Sequence, residues 1–296
     1  MATSSRVPEA LVPVASFARL APRYDVILCD VWGVLHNGAV ASQAAGEALT
    51  RAREAGATVV LVSNAPRPND GVATILDGFG VPRTAWDAIV TSGDVTKSLL
   101  RGRTDARVYH LGPDRDLGIY DDLPVARTGL EEADLIVCTG LFDDTVETPD
   151  HYAETLAQAR GRGLEFICAN PDIVVERGGE LIWCAGALAE AYEALGGAVV
   201  YCGKPHAPIY DAALAASERL RGAPVARQRV IAIGDALRTD IAGAHGAGID
   251  CLFVAAGIHA FELGLDHGQE ADPAALVRLF EDAPALPTAV TTRLAW

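Results

Sequence analysis

No stretch of these 296 residues is apolar for long enough to cross a membrane as a helix. Such a span needs ~18 or more nearly uninterrupted apolar residues. The richest window, 181–200, carries Glu190 and Glu193 and reads as a helix followed by a strand. Lys/Arg clusters are also missing, and the formal charge is −15. A chain this acidic does not suit a nucleic-acid partner, although local positive groups or a metal can still hold an anion. No C-x-x-C pair occurs among the six cysteines, Cys29, Cys138, Cys168, Cys184, Cys202 and Cys251. Their spacing suggests neither a zinc site nor a disulfide framework, so they read as small buried thiols in a reducing, cytoplasmic compartment. The first 24 residues lack the form of a signal peptide, because Pro13 breaks their apolar run; they read as a docking N-terminal helix.

What is present is alternation. Short, β-branched, apolar runs occur at 24–30, 57–63, 87–91, 106–111, 134–139, 165–169, 198–202, 229–233 and 250–254. They are apolar on both faces, as buried parallel strands are. Helical patterns fall between them at 42–55, 70–79, 94–100, 149–162, 185–195, 207–220 and 238–247. Glycines at 56, 80, 163 and 196 supply stop signals. The alternation predicts an α/β protein with a mostly parallel sheet.

In such sheets ligands bind beyond the carboxyl ends of the strands. Four predicted strand ends carry polar residues there, in the order Asp30, Ser63-Asn64, Gly203-Lys204 and Gly234-Asp235. The long gap between the second and third accommodates an inserted domain of ~100 residues. These stretches, Asp30-Val31-Trp32-Gly33-Val34-Leu35, Leu61-Val62-Ser63-Asn64, Gly203-Lys204-Pro205 and Gly234-Asp235-Ala236-Leu237-Arg238-Thr239-Asp240, resemble the four motifs of the haloacid dehalogenase (HAD) superfamily. The resemblance runs from about Tyr24 to Gly257. Asn170-Pro171-Asp172, inside the long insertion, looks like the cap loop of the class IIA, NagD-like branch. It implies a Rossmann-like core over 1–83 and 185–296, an α/β cap over 84–184, and hydrolysis of a small phosphorylated metabolite. It also allows a homodimer through the cap.

The residues can be read on those terms. Asp30 is the expected nucleophile, forming an aspartyl-phosphate. Asp235 and Asp240, converging with Asp30, would repel unless a cation lay among them, and hard oxygen ligands with a phosphate substrate point to Mg²⁺. The resemblance makes Asp30, Asp235 and the carbonyl of Trp32 ligands, with Asp240 beside them. Lys204 would neutralise charge on the phosphoryl group and on Asp30. Ser63 and Asn64 would hold phosphoryl oxygens, and Arg67, stiffened by Pro66 and Pro68, would touch substrate. Asn170 and Asp172 would reach it from the cap.

One part is missing. Phosphatases of this superfamily carry a second aspartate two residues after the nucleophile, as general acid and base. Here that residue is Trp32, whose indole N–H does neither. Such a loss costs roughly 10²–10⁴ in rate, or about 2.7–5.4 kcal/mol of barrier. The alternatives are another proton carrier (His36 first, His206 second), slow turnover of good leaving groups, or a weakened protein kept for ligand binding or regulation. Dehalogenases place a tyrosine at this position but use no metal, whereas both acids of the fourth motif are present here.

Overall fold

The computed structural model describes residues 11–14, 16–177, 180–265 and 268–296. Its elements run β1 (Val26–Cys29), α1 (Gln43–Glu54), β2 (Thr58–Ser63), α2 (Asn69–Gly78), β3 (Ala88–Thr91), α3 (Ser92–Arg101), β4 (Arg107–Leu111), β5 (Ala126–Arg127), β6 (Leu135–Cys138), α4 (Ala153–Gly161) and β7 (Glu165–Cys168). They continue with β8 (Val174–Arg177), β9 (Glu180–Trp183), α5 (Ala185–Ala194), β10 (Ala198–Tyr201), α6 (Ala207–Arg221), β11 (Val230–Gly234), α7 (Ala242–Ala247), β12 (Asp250–Val254), α8 (Pro273–Leu279) and β13 (Ala289–Thr291). The chain forms two compact units. One holds residues up to Val62, Asp77–Ala88 and Ala213–Trp296; the other holds Ser63–Leu76 and Ile89–Ala212.

The six-stranded sheet has the order β13-β12-β11-β1-β2-β3. Its central pairs are parallel, and every residue of β1, β2 and β11 is buried. A strand buried on both faces has no polar side to alternate with, which explains the unbroken apolar runs. α1 is tied on by Ala45, Ala48, Leu49 and Ala52, a stripe at helical spacing, and is capped by Ser42, whose Oγ accepts the Ala45 N–H. Register sets the chemistry: Cys29 lies opposite Ile233, and the Asp30 N–H donates to the Ile233 carbonyl. Asp30 therefore emerges beside Gly234, one residue before Asp235.

The second sheet has the order β10-β7-β6-β4-β5, again parallel, with a separate antiparallel pair, β8–β9. Successive residues of β6 serve opposite faces: Ile136 and Cys138 pack with Leu156, Leu188 and Tyr192, while Leu135 and Val137 pack with Leu100 and Ile119.

Three sequence expectations change. The run at 198–202, expected to close the core after a cap ending at 184, pairs instead with β7 in the second sheet. The run at 87–91, expected inside the insertion, is β3 of the six-stranded sheet. The docking N-terminal helix lies partly outside the described residues. Within them, Phe17–Arg19 and Ala21–Arg23 are single 3-10 turns, with Phe17 buried edge-on against Trp296. Among the described residues no helix is long and apolar enough to cross a membrane.

Candidate active site

The expected site residues fall into two groups, one in each unit. In the first unit Asp30, Asp235 and Asp240 are all buried, and one carboxylate oxygen from each lies within 4.8 Å of the others. Backbone donors aim them. Val31 N–H donates to Asp30 Oδ1 at 2.7 Å, Ile258 N–H to Asp235 Oδ2 at 2.7 Å, and Ala236 N–H to Asp240 Oδ2 at 3.1 Å. A π-helical turn over Leu237–Ile241 brings Asp240 back toward β11.

Glycines make this packing possible. A Cβ at Gly33, whose φ is +85°, would stand 2.0 Å from Asp235 Oδ2, and one at Gly257 would stand 2.1 Å from the same oxygen. A Cβ at Gly234 would stand 2.1 Å from Asp240 Cγ. Three buried carboxylates this close repel strongly unless a cation is shared among them. An all-oxygen donor set of this kind fits a hard divalent ion. Sequence reasoning missed Gly257 and Ile258; their place just beyond the carboxyl end of β12 was the available signal.

Trp32 lies at the mouth of the same loop, half-buried, with its ring edge-on to His36 at 5.0 Å. His36 stacks on Phe79 at 4.7 Å, and its Nδ1 accepts the Gly38 N–H at 3.0 Å. Burial lowers its pKa to about 4. His36 is therefore a neutral imidazole at neutral pH, wedged between two rings with one nitrogen engaged. This weighs against it as the substitute acid, because only the protonated imidazolium is a useful proton donor near pH 7.

In the second unit Asn64 is the hub. Its Oδ1 accepts the Lys204 N–H at 2.7 Å, and its Nδ2 donates to the Lys204 carbonyl at 3.1 Å and to Asp172 Oδ1 at 2.9 Å. Both amide protons are thus committed, to the Lys204 carbonyl and to Asp172, so the side chain braces the turn after β10. Gly203 permits the approach: a Cβ there would stand 2.4 Å from Asn64 Oδ1 and 2.6 Å from Pro171 Cδ. Lys204 is buried. Ser63, also buried, accepts the Ala65 N–H with its Oγ at 3.2 Å.

Asn170 Oδ1 accepts the Asp172 N–H at 3.2 Å, so its side chain folds its own turn. That turn rests on α5, where a Cβ at Gly186 would stand 2.3 Å from the Pro171 carbonyl oxygen. Arg67 Nη2 donates to Asp116 Oδ1 at 2.9 Å. Asp116 was not foreseen, since nothing local links a residue after β4 to one after β2. Burial raises its pKa while Arg67 and Arg115 oppose the shift. His206 stacks flat on Tyr201 at 4.4 Å, and burial lowers its pKa.

The sequence and the fold are both matched by known proteins. The family model of haloacid dehalogenase-like hydrolases fits residues 27–123, and a second, HAD-hydrolase-like model fits residues 201–283. A crystal structure of a haloacid dehalogenase-like hydrolase from Brucella suis is 47% identical and superposes with a TM-score of 0.84, over 94% of this chain and 98% of that one. A structure described as a possible sugar phosphatase of the HAD superfamily, from Cytophaga hutchinsonii, shares the fold with a TM-score of 0.77 at 20% identity, over 95% and 97% of the two chains. The ribonucleotide monophosphatase NagD of Escherichia coli is 26% identical over 242 residues, 80% of this chain and 89% of NagD. The chain belongs to the haloacid dehalogenase-like hydrolases, and its likeness to NagD places it in their class IIA branch.

Proposed function

We propose that this protein is a Mg²⁺-dependent phosphatase or phosphotransferase that acts on a small phosphorylated metabolite in the cytoplasm, through an aspartyl-phosphate, and that Trp32 makes it slow. The observation that carries the reading is the triad Asp30, Asp235 and Asp240, buried with carboxylate oxygens within 4.8 Å of one another. A relative named as a ribonucleotide monophosphatase supports it, as does a structural neighbour described as a possible sugar phosphatase. Asp235, Asp240, Asp30 and the Trp32 carbonyl are the groups that would hold the ion. When bound, it supplies positive charge against the phosphoryl oxygens.

In the first step an Asp30 oxygen forms a bond to phosphorus and the ester oxygen leaves. Lys204, fixed by Asn64, neutralises the charge gathering on the phosphoryl group. Ser63 and the backbone after β2 hold its oxygens. In the second step water attacks phosphorus, releasing phosphate and freeing Asp30. That water needs a base; Trp32 is none, and the Nδ1 lone pair of His36 is already engaged by the Gly38 N–H. Arg67 and Asp172 would contact the leaving group.

A second reading is a catalytically weakened protein that binds a phosphorylated ligand, and Trp32 is what favours it. A Mg²⁺-supported screen of phosphate esters, read with intact mass, separates the two. Turnover and an Asp30-dependent gain of one phosphoryl mass are expected. Binding without either favours the second reading.

A further inference from the structure

The loop after β2 is locked before it reaches Arg67. Pro66 and Pro68 fix φ on either side. The Ala65 carbonyl accepts the Gly93 N–H at 3.0 Å, and a Cβ at Gly93 would stand 2.5 Å from the Arg67 carbonyl carbon. The Arg67 backbone is therefore seated on the first turn of α3. Its side chain is aimed by one bond, from Nη2 to Asp116 Oδ1 at 2.9 Å, and among the described residues it has no other hydrogen-bond or ion-pair partner.

A guanidinium has five N–H donors in a planar fork. Here one is spent on a carboxylate only 2% exposed, while the arginine side chain is 28% exposed. Burying the Asp116 charge is costly, and a pair of this kind is weak evidence of a stabilising role. The arrangement makes better sense as a buried carboxylate holding an arginine whose remaining donors face outward.

Its location names what those donors would meet. Asp116 follows β4, Asp172 follows β7 and Lys204 follows β10, all at the carboxyl edge of one sheet ordered β10-β7-β6-β4. At ~4.8 Å per strand, the ends of β10 and β4 are ~14 Å apart before the side chains reach inward. That is a distance to be spanned by a sugar-length molecule rather than a two-carbon ester.

We propose that Arg67, aimed by Asp116, binds a second anionic group on the substrate, so that the preferred esters are sugar-length phosphates carrying a carboxylate or another phosphate. This rests on the phosphatase reading for the role of Lys204. Two matched pairs test it: 6-phosphogluconate against glucose 6-phosphate, and fructose 1,6-bisphosphate against fructose 6-phosphate. The second pair differs by a phosphate alone, and the first by a carboxylate together with the opening of the sugar ring.

Affinity is read by calorimetry on the Asp30→Asn protein in Mg²⁺, and kcat/KM on wild type. A preference of tenfold or more for the doubly anionic member of at least one pair is expected. Arg67→Gln should bring that ratio close to one, Arg67→Lys should retain part of it, and Asp116→Asn should lower it through KM rather than kcat. Equal affinities within both pairs, binding of no member, or an Arg67→Gln protein that weakens both members alike would overturn the proposal. A binding preference without turnover would count against the phosphatase reading alone.

Discussion

Asn64 brackets the backbone of Lys204, accepting from its N–H at 2.7 Å and donating to its carbonyl at 3.1 Å across 140 residues of sequence. One side-chain amide does here what a strand neighbour does elsewhere, and the bond from its second proton to Asp172 ties in the turn after β7. The lysine backbone is thus held by a side chain from the end of β2.

Asn64→Ala would orphan the Lys204 N–H and carbonyl in a buried setting. Each unmet group costs about 1–3 kcal/mol, so a stability loss of about 2–4 kcal/mol is expected in urea unfolding, with a fall in kcat. Asn64→Asp keeps the acceptor but turns a carboxylate toward Asp172 and the Lys204 carbonyl, and should lower kcat further. A melting curve within a degree of wild type for Asn64→Ala would contradict the bracket.

Mg²⁺ should raise the melting temperature by binding the native triad, and chelation should reverse it; at 100 times Kd the gain is ~2.7 kcal/mol. Asp235→Asn should remove most of that gain. Gly33→Ala and Gly257→Ala should do the same without touching a ligand, because the added methyl displaces Asp235 Oδ2. Unchanged melting at millimolar Mg²⁺ would remove the metal site from consideration.

His110 donates to or accepts from Tyr120 at 2.9 Å, and burial lowers its pKa below 6.5. The sign follows from linkage: the neutral ring is favoured in the fold, so its contribution is complete above pH 6.5 and is lost as pH falls toward the lowered value. His110→Gln should therefore lose less stability than wild type between pH 7.5 and 5, measured by urea unfolding at each pH. Parallel losses would contradict this.

Asp30 and Asp235 were legible because each closes an apolar run that reads as a buried strand, and Asp240 because it stands five residues after Asp235 in the fourth motif. The sheet to which a run belongs was not. AVVYC at 198–202 is as apolar as RVIAI at 229–233, and periodicity says nothing of which neighbour a parallel strand takes. The β8–β9 pair, Val174–Arg177 with Glu180–Trp183, was missed although two glycines separate the runs in sequence, a hairpin signal. Asn64 was found, but its type shows only that it can donate and not that it donates to Asp172 and the Lys204 carbonyl. Asp116 was invisible because the arginine it pairs with lies 49 residues away in sequence.

On the proposed function, Trp32→Asp would supply the acid and base that the indole lacks. Steady turnover should rise, by up to roughly 10²–10⁴-fold. Replacing the half-buried indole, which lies against His36, also removes packing worth up to ~3–5 kcal/mol. The melting temperature of the variant should be measured beside its rate, and a properly folded Trp32→Asp protein no faster than wild type would argue that Trp32 is not what limits turnover.

The most direct measurement is rapid-quench hydrolysis of p-nitrophenyl phosphate by the wild-type protein in Mg²⁺. An aryl leaving group hardly needs protonation, so attack by Asp30 should proceed while hydrolysis of the aspartyl-phosphate lags. The expected trace is a burst of nitrophenol close to the enzyme concentration, then slow release, with Asp30→Asn abolishing both phases. Fast steady turnover of unactivated alkyl phosphates with no burst would contradict a site slowed by Trp32.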